Sequence, residues 1–275
     1  MIRVDEADRT ELQAFLRRDA PVNLFLLGVL ERAGAVGPLP DDGTFHALRG
    51  KEGLRAVAYT TPGGLAVAYA PNPDDAAALG ADLRAGGRVR PRLLVGPRGP
   101  TDALWRGLGP KLKPRLWRDH RLYIIRPGQL LVRGDPAARV ATPRDLEAAI
   151  DSSASMQSEE LGLDPRSLDG DRFRRRVARL VAEEAIWILP AGGLHTFQAS
   201  ASTHCADGAQ IEAVYTPPFL RGKGWATRGL SRMCECLLEK HPLLALHVNE
   251  DNREAVRLYL RLGFVAAAPF RLISG

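Results

Sequence analysis

Val214-Tyr215-Thr216-Pro217-Pro218-Phe219-Leu220-Arg221-Gly222-Lys223-Gly224-Trp225-Ala226-Thr227 is the stretch on which the reading of this 275-residue chain turns. A strand, Gln210 to Thr216, is ended by two prolines, which cannot donate to a sheet ladder. A glycine-rich turn follows and opens into a long helix, about Gly222 to Lys240. The first helical turn has N–H groups with no partner inside the helix, and the helix dipole adds positive potential there. Such an end is an anion site, with diphosphate as its usual guest. Gly222 and Gly224 let the backbone curl without a Cβ in the way. Arg221 and Lys223 bring two formal charges to the same place. Taken alone the signal is weak, because the turn has neither the GxxxxGK[ST] spacing of a nucleotide triphosphatase nor the GxGxxG of a dinucleotide fold.

The flanking sequence organises around this turn. Downstream, the apolar patterns predict a strand Leu243 to Val248, a helix Asn252 to Leu262, and a closing strand pair near Val265 and Phe270 to Ile273. Upstream, Thr142 is an N-cap with Pro143 at the first helical position, and Leu146, Ala149 and Ile150 form an apolar stripe. Asp171 reads as the cap of a basic amphipathic helix running to about Glu183. Strands Ile186 to Leu189 and Leu194 to Ser202 are joined by the hairpin signal Pro190-Ala191-Gly192-Gly193. These elements predict an α/β domain, one mixed sheet covered on both faces.

Arg133-Gly134-Asp135-Pro136 is the predicted boundary, giving domains 1–135 and 136–275. The first reads as a smaller α/β domain. It has helices Thr10 to Leu16 and Asn23 to Leu30, and a hairpin Gly53 to Tyr59 and Gly64 to Tyr69. A helix Pro73 to Ala85, a strand Arg92 to Val95, a helix Thr101 to Leu108 and a strand Arg121 to Arg126 complete it. It shows no catalytic constellation.

Arg221-x-x-Gly224-x-Ala226 fits the Q/R-x-x-G-x-G/A signature of the GNAT N-acetyltransferase superfamily. Ile211 to Pro217 looks like the strand before that signature. The run from Leu246 to Phe264 resembles the family's second block, with Asn252, Ala255, Tyr259 and Gly263-Phe264 at matching spacing. The resemblance covers about Val140 to Gly275. Met156-x-x-Glu159-Glu160-x-Gly162 and Phe197-Gln198-Ala199 also resemble a bacterial subgroup in which an α/β domain precedes the acetyltransferase domain. The first domain can be read as a degenerate GNAT-like half, since Val95-Gly96-Pro97-Arg98-Gly99 ends a strand before a helix. It lacks the signature spacing, so no coenzyme is expected there.

The resemblance implies an N-acetyltransferase that moves an acetyl group from acetyl-CoA, as co-substrate, to a primary amine by direct attack. The backbone of Val214, Tyr215 and Thr216 would then face the pantetheine arm. The N–H groups of Arg221, Gly222, Lys223, Gly224, Trp225, Ala226 and Thr227 would hold the diphosphate, and Asn252 and Ala255 would line the far wall of the groove. The chemistry needs a base, an oxyanion donor and an acid for the leaving thiolate. Tyr259 matches the family's acid, or is a core residue on the apolar face of its helix. Glu212 is a candidate base, or a solvent-facing strand residue. Glu160 is a second candidate, as base or as a binder of a cationic acceptor. His195 and His204 are further candidates, or plain strand polar groups, and Trp225 reads as a packing residue.

Composition bounds the rest. Hydrophobic residues make up 45% and charged residues 25%, the balance of a globular protein. The three cysteines, Cys205, Cys234 and Cys236, give neither a disulfide framework nor a zinc spacing, so no metal is expected. No apolar run approaches the ~20 residues that span a bilayer, which predicts no membrane partner and a cytoplasmic location. The net charge of +6 arises before Pro136. It is Arg-rich without a nucleic-acid motif, which argues against nucleic acid as a partner. The acceptor is a small-molecule or peptide amine of open identity, and the oligomeric state is open. The alternative in a different class is a non-catalytic acyl-CoA-binding regulator whose basic N-terminal domain contacts a partner.

Overall fold

Prolines, glycines and short polar caps punctuate the chain in the computed structural model, which describes residues 2–3, 9–32, 43–86, 92–109 and 113–275. The first half runs β1 (Ile2–Arg3), α1 (Arg9–Arg17), α2 (Leu24–Arg32), β2 (Thr44–Gly50), β3 (Gly53–Thr60), β4 (Leu65–Tyr69), α3 (Pro73–Ala85), β5 (Leu93–Pro97), α4 (Arg98–Leu108) and β6 (Leu116–Ile125). The second half runs β7 (Arg139–Val140), α5 (Leu146–Leu161), α6 (Pro165–Ala182), β8 (Ile186–Ala191), β9 (Leu194–Cys205), β10 (Gly208–Tyr215), α7 (Trp225–Leu238), β11 (Leu244–Asn249), α8 (Arg253–Leu262) and β12 (Val265–Ser274). Among the described residues both halves carry one succession, β-α-α-β-β-β-α-β-α-β. The chain is a structural duplication that leaves no short-period trace in the sequence.

By contact the chain forms two compact units. The first takes Met1–Tyr123, His247–Arg253 and Ala266–Gly275, and the second takes Ile124–Leu246 and Glu254–Val265. A cut at 135/136 falls in the connection between β6 and β7, yet the units do not follow it. The last ten residues return to the first unit, where β12 pairs antiparallel with β5 from Phe270↔Pro97 to Ser274↔Leu93.

In the first unit the strand order is β1-β2-β3-β4-β5-β12-β6. Strand β2, absent from the sequence reading, pairs along its length with β3. Asn72 caps α3 by accepting from the Asp74 N–H at 3.0 Å, with Pro73 at the first helical position. Helix α3 then packs against α4 at glycine distance. A Cβ on Gly107 would lie 2.1 Å from the Ala77 carbonyl oxygen, and one on Gly80 would lie 2.5 Å from that of Leu104. Leu79, Leu83, Leu104, Trp105 and Leu108 form the core beneath them.

In the second unit the order is β11-β10-β9-β8-β7. A capping box in which Asp145 accepts from the Thr142 N–H at 2.7 Å starts the 3-10 turn Pro143–Asp145 that leads into α5. Arg139 holds the other side of that carboxylate at 2.8 Å and 3.1 Å. Ala149, Ile150 and Ala154 of α5 meet Phe173, Val177 and Val181 of α6 over Ile186 and Ile188 of β8. Each large apolar side chain so buried contributes about 1.5–3 kcal/mol. Two sequence expectations are corrected. The basic helix begins at Pro165, capped by Asp164, and breaks at Asp169 (φ −159°, ψ 84°). Asp169, not Asp171, then caps the second stretch by accepting from the Arg172 N–H at 2.9 Å. The closing strand pair is one continuous strand, β12. No described helix is long and apolar enough to cross a membrane.

Two outcomes follow. Gly107→Ala raises intrinsic helix propensity yet meets backbone on α3, so it should destabilise by about 1–3 kcal/mol, read as a lower denaturant midpoint. The hydrogen bond from Arg139, seconded by those from Thr142, holds the Asp145 carboxyl well below its usual range. Its contribution is therefore present above the unfolded value of about 3.9 and is lost as pH falls through the depressed folded value. Asp145→Asn should flatten the acid limb of the stability–pH curve.

Candidate active site

Strand β10 ends at Tyr215, and Pro217 and Pro218 carry the chain into a single 3-10 turn, Pro218–Leu220. Gly222 (φ +75°) and Gly224 (φ +78°) then adopt left-handed backbone that an L side chain resists. Gly224 is the N-cap of α7, so the helix starts at Trp225 rather than at Gly222 as the pattern predicts. The N–H groups of Leu220, Arg221 and Arg228 have backbone acceptors. Among the described residues those of Gly222, Lys223, Gly224, Trp225, Ala226 and Thr227 have none. No atom lies within 4 Å of a Cβ built on Gly222 or Gly224. The turn is an open cradle of unpaired donors at a positive helix end, and its chemistry fits a diphosphate.

The charges beside the cradle are already engaged. Arg221 donates from its guanidinium to Glu159 Oε2 at 2.6 Å and from Nε to the Thr216 carbonyl at 3.0 Å. Its guanidinium carbon lies 5.8 Å from the Tyr215 ring centre. Tyr215 in turn donates to Glu159 Oε1 at 3.1 Å, and burial, then the Glu159 charge, pushes its phenol up. Lys223 Nζ reaches the Phe219 carbonyl at 3.3 Å. Trp225 packs against its own helix, with the Arg228 guanidinium 4.0 Å from its ring centre. Ala226 and Thr227 complete the partly buried first turn.

Strand β10 departs from regular pairing beside this loop. Its parallel ladder with β11 consists of Ala209↔Leu244 and Gln210↔Ala245 and goes no further. On its other edge the register with β9 shifts on both sides of Glu212, and Ala213 has φ +54°. Such bulges re-aim peptide groups and recur beside active sites. Val214 lies within the second irregularity and Thr216 just past the strand end, where its Oγ1 is buried without a partner. Glu212 accepts from Gln210 Nε2 at 2.8 Å and from Ser202 Oγ at 3.4 Å.

Tyr259 on α8 is 5% exposed, its ring 6.0 Å from that of Phe264. Burial first, then the charges of Glu160 and Cys234, pushes its phenol well above the usual value of about 10. The structure therefore brings Glu160, in the last turn of α5, into electrostatic reach of Tyr259. Ala255 lies in the first turn of α8 in the same unit, whereas Asn252, whose N–H bonds the Asn249 carbonyl at 2.9 Å, is counted with the first unit. His195 sits 3.5 Å from Asp145 at the start of α5, and His204 pairs with His241 at 3.1 Å. Glu159 is the participant that the sequence reading quoted without a role, because its partner lies 62 residues away.

The duplication locates the first unit's counterpart of the cradle at the β4–α3 turn, not at Val95 to Gly99, which joins β5 to α4. There the chain reads Pro71-Asn72-Pro73-Asp74-Asp75. The Asn72 side chain occupies the helix end, and both aspartates stand in the first turn, Asp75 paired with Arg55. An anion would meet carboxylates instead of free amides. Among the described residues no three His, Cys, Asp or Glu side chains gather as a metal site.

Residues 177–264 match the model of the acetyltransferase (GNAT) family. No curated protein matches the chain in sequence. Solved structures do match in fold. A GNAT-family acetyltransferase from Colwellia psychrerythraea is 11% identical with TM-score 0.59, over 100% of this chain and 99% of that one. A GCN5-related N-acetyltransferase from Sphaerobacter thermophilus is 16% identical with TM-score 0.63, over 99% and 94%. A tandem GNAT protein from the clavulanic acid biosynthesis pathway is 12% identical with TM-score 0.59, over 100% and 97%. The family match thus lies in the second half of the chain, within a fold shared with GNAT structures along its whole length.

Proposed function

We propose that the second unit moves an acetyl group from acetyl-CoA to a primary amine. The observation that carries this reading is the open cradle of unpaired amides from Gly222 to Thr227 at the N-terminus of α7. A diphosphate is the anion whose size and charge suit several convergent N–H donors at a helix end. Bound acetyl-CoA supplies a thioester carbonyl open to attack by a neutral amine. The chain's residues do the rest. The edge of β10 beyond Gln210, no longer laddered to β11, offers the backbone of Val214, Tyr215 and Thr216 to an extended ligand. An N–H near Val214 supports charge on the carbonyl oxygen.

Tyr259 stays neutral across the physiological range because burial holds its phenol up. A phenol so raised is a weaker acid than a thiol. It therefore helps the departing sulfur as a hydrogen-bond donor, and proton delivery depends on the proton taken from the amine. Of the two carboxylates, Glu160 is assigned to that proton or to the ammonium form of the acceptor, since its charge reaches Tyr259. Glu212 is the weaker candidate, held by Gln210 and Ser202. The acceptor is a small-molecule or peptide amine.

Calorimetry with acetyl-CoA on the wild type and on Gly224→Glu tests the site. Binding to the wild type and its loss in the folded variant is the expected result. Equal binding by both proteins would remove the cradle from the coenzyme's path. In an amine screen Tyr259→Phe should lower kcat by about 10²-fold or more while acetyl-CoA affinity holds. Coenzyme binding with no turnover on any amine would favour a non-catalytic acyl-CoA-binding regulator.

A further inference from the structure

The last turn of α5 carries two adjacent carboxylates, Glu159 and Glu160, and no basic residue. That placement opposes the helix dipole, whose C-terminal end already carries negative partial charge. The helix stops immediately beyond, at Gly162, which takes the left-handed C-cap conformation with φ +70°. The Glu160 charge helps raise the Tyr259 phenol, whereas Glu159 is hydrogen-bonded beside the cradle. One of its oxygens accepts from Arg221 at 2.6 Å and the other from the Tyr215 hydroxyl at 3.1 Å. Arg221 is the cation next to the cradle, and a second bond to the Thr216 carbonyl at 3.0 Å keeps it folded back on its own loop.

We infer that Glu159 is a positioning residue that sets the cradle's affinity for its anion by holding Arg221 in competition with it. The inference rests on the reading of Gly222 to Thr227 as a diphosphate site. Two consequences share one sign. The carboxylate subtracts from the positive potential at the helix end, and it occupies the guanidinium face that a phosphate oxygen would take. An incoming diphosphate must exchange with Glu159 for Arg221. When Arg221 leaves, Glu159 keeps the Tyr215 hydroxyl as a partner, so coenzyme binding is transmitted to the end of α5 that also carries Glu160. The arrangement favours release of spent coenzyme over the tightest possible grip.

The sign separates this role from a merely structural one. Glu159→Gln keeps an oxygen acceptor for the Tyr215 hydroxyl and drops the charge. Acetyl-CoA and inorganic diphosphate should each bind this variant about two- to fivefold more tightly than the wild type, the range of a partly exposed ion pair. The gain should shrink as salt screens the charges, and it should be smaller in an Arg221→Gln background, where the competition for the guanidinium is absent. Equal or weaker binding by a folded Glu159→Gln protein would overturn the inference, since a brace that merely orders the loop weakens binding when removed. If the wild type binds diphosphate but not acetyl-CoA, the coenzyme reading fails while the diphosphate comparison still decides the role of Glu159. If it binds neither, both readings fall.

Discussion

The backbone amides that Gly222 and Gly224 leave unpaired are the feature around which the second unit is arranged. A helix entered through a side-chain cap satisfies one of its own orphan donors, as Asn72 does for α3. Helix α7 is entered through left-handed glycine instead, so its donors stay available. That entry works only if the strand before it stops cleanly and the loop is held from outside. Pro217 and Pro218 end β10, and Arg221 ties the loop to Thr216 within it and to Glu159 on α5. The positive end of α7 is thus fixed by covalent punctuation on one side and by an ion pair on the other.

The same succession of elements, used twice, shows how little of a fold's chemistry its topology decides. Strands β4 and β10 each run parallel to the next strand for two residue pairs, Leu65↔Leu93 with Ala66↔Leu94 and Ala209↔Leu244 with Gln210↔Ala245. Each then leads into a helix. In the first unit that helix begins with Pro73, Asp74 and Asp75 and is pressed against α4 through Gly80 and Gly107. In the second it begins with glycine and open space. One copy has turned its helix end into packing and the other keeps it for an anion, so the difference lies in a handful of residues at one turn.

The sequence made the second unit's elements legible because each has a local signal: the capping residue Thr142, the hairpin glycines, the two prolines before the cradle. Strand β2 was missed for lack of such a signal, since it is fixed by its register with β3. The extent of β12 was also out of reach, because it follows from pairing with β5 far earlier in the chain. The start of α6 lies earlier than its pattern suggests, at Pro165 behind Asp164, and the cap of its second stretch lies two residues earlier, at Asp169, where several aspartates compete and the backbone breaks. In the site, the cradle and Tyr259 were visible as motif positions. The Glu159–Arg221 pair was not, because nothing local to either residue names the other.

Helix α5 draws these strands together. Its sixteen residues span about 24 Å at the usual rise. Its first turn is pinned by Asp145 between Arg139 and Thr142, and its last by Glu159 between Arg221 and Tyr215. The two ends differ in kind. At the start, the carboxylate lies where the helix dipole welcomes it, and the bonds around it are structural. At the finish, carboxylates lie where the dipole disfavours them, and their partners are a cation beside an anion cradle and a buried phenol. Charge placed against the local field survives in a fold when something nearby compensates for it. Here the compensation comes from Arg221, whose other use is the diphosphate, so the least favourable electrostatic position on α5 is also the one tied to the proposed chemistry.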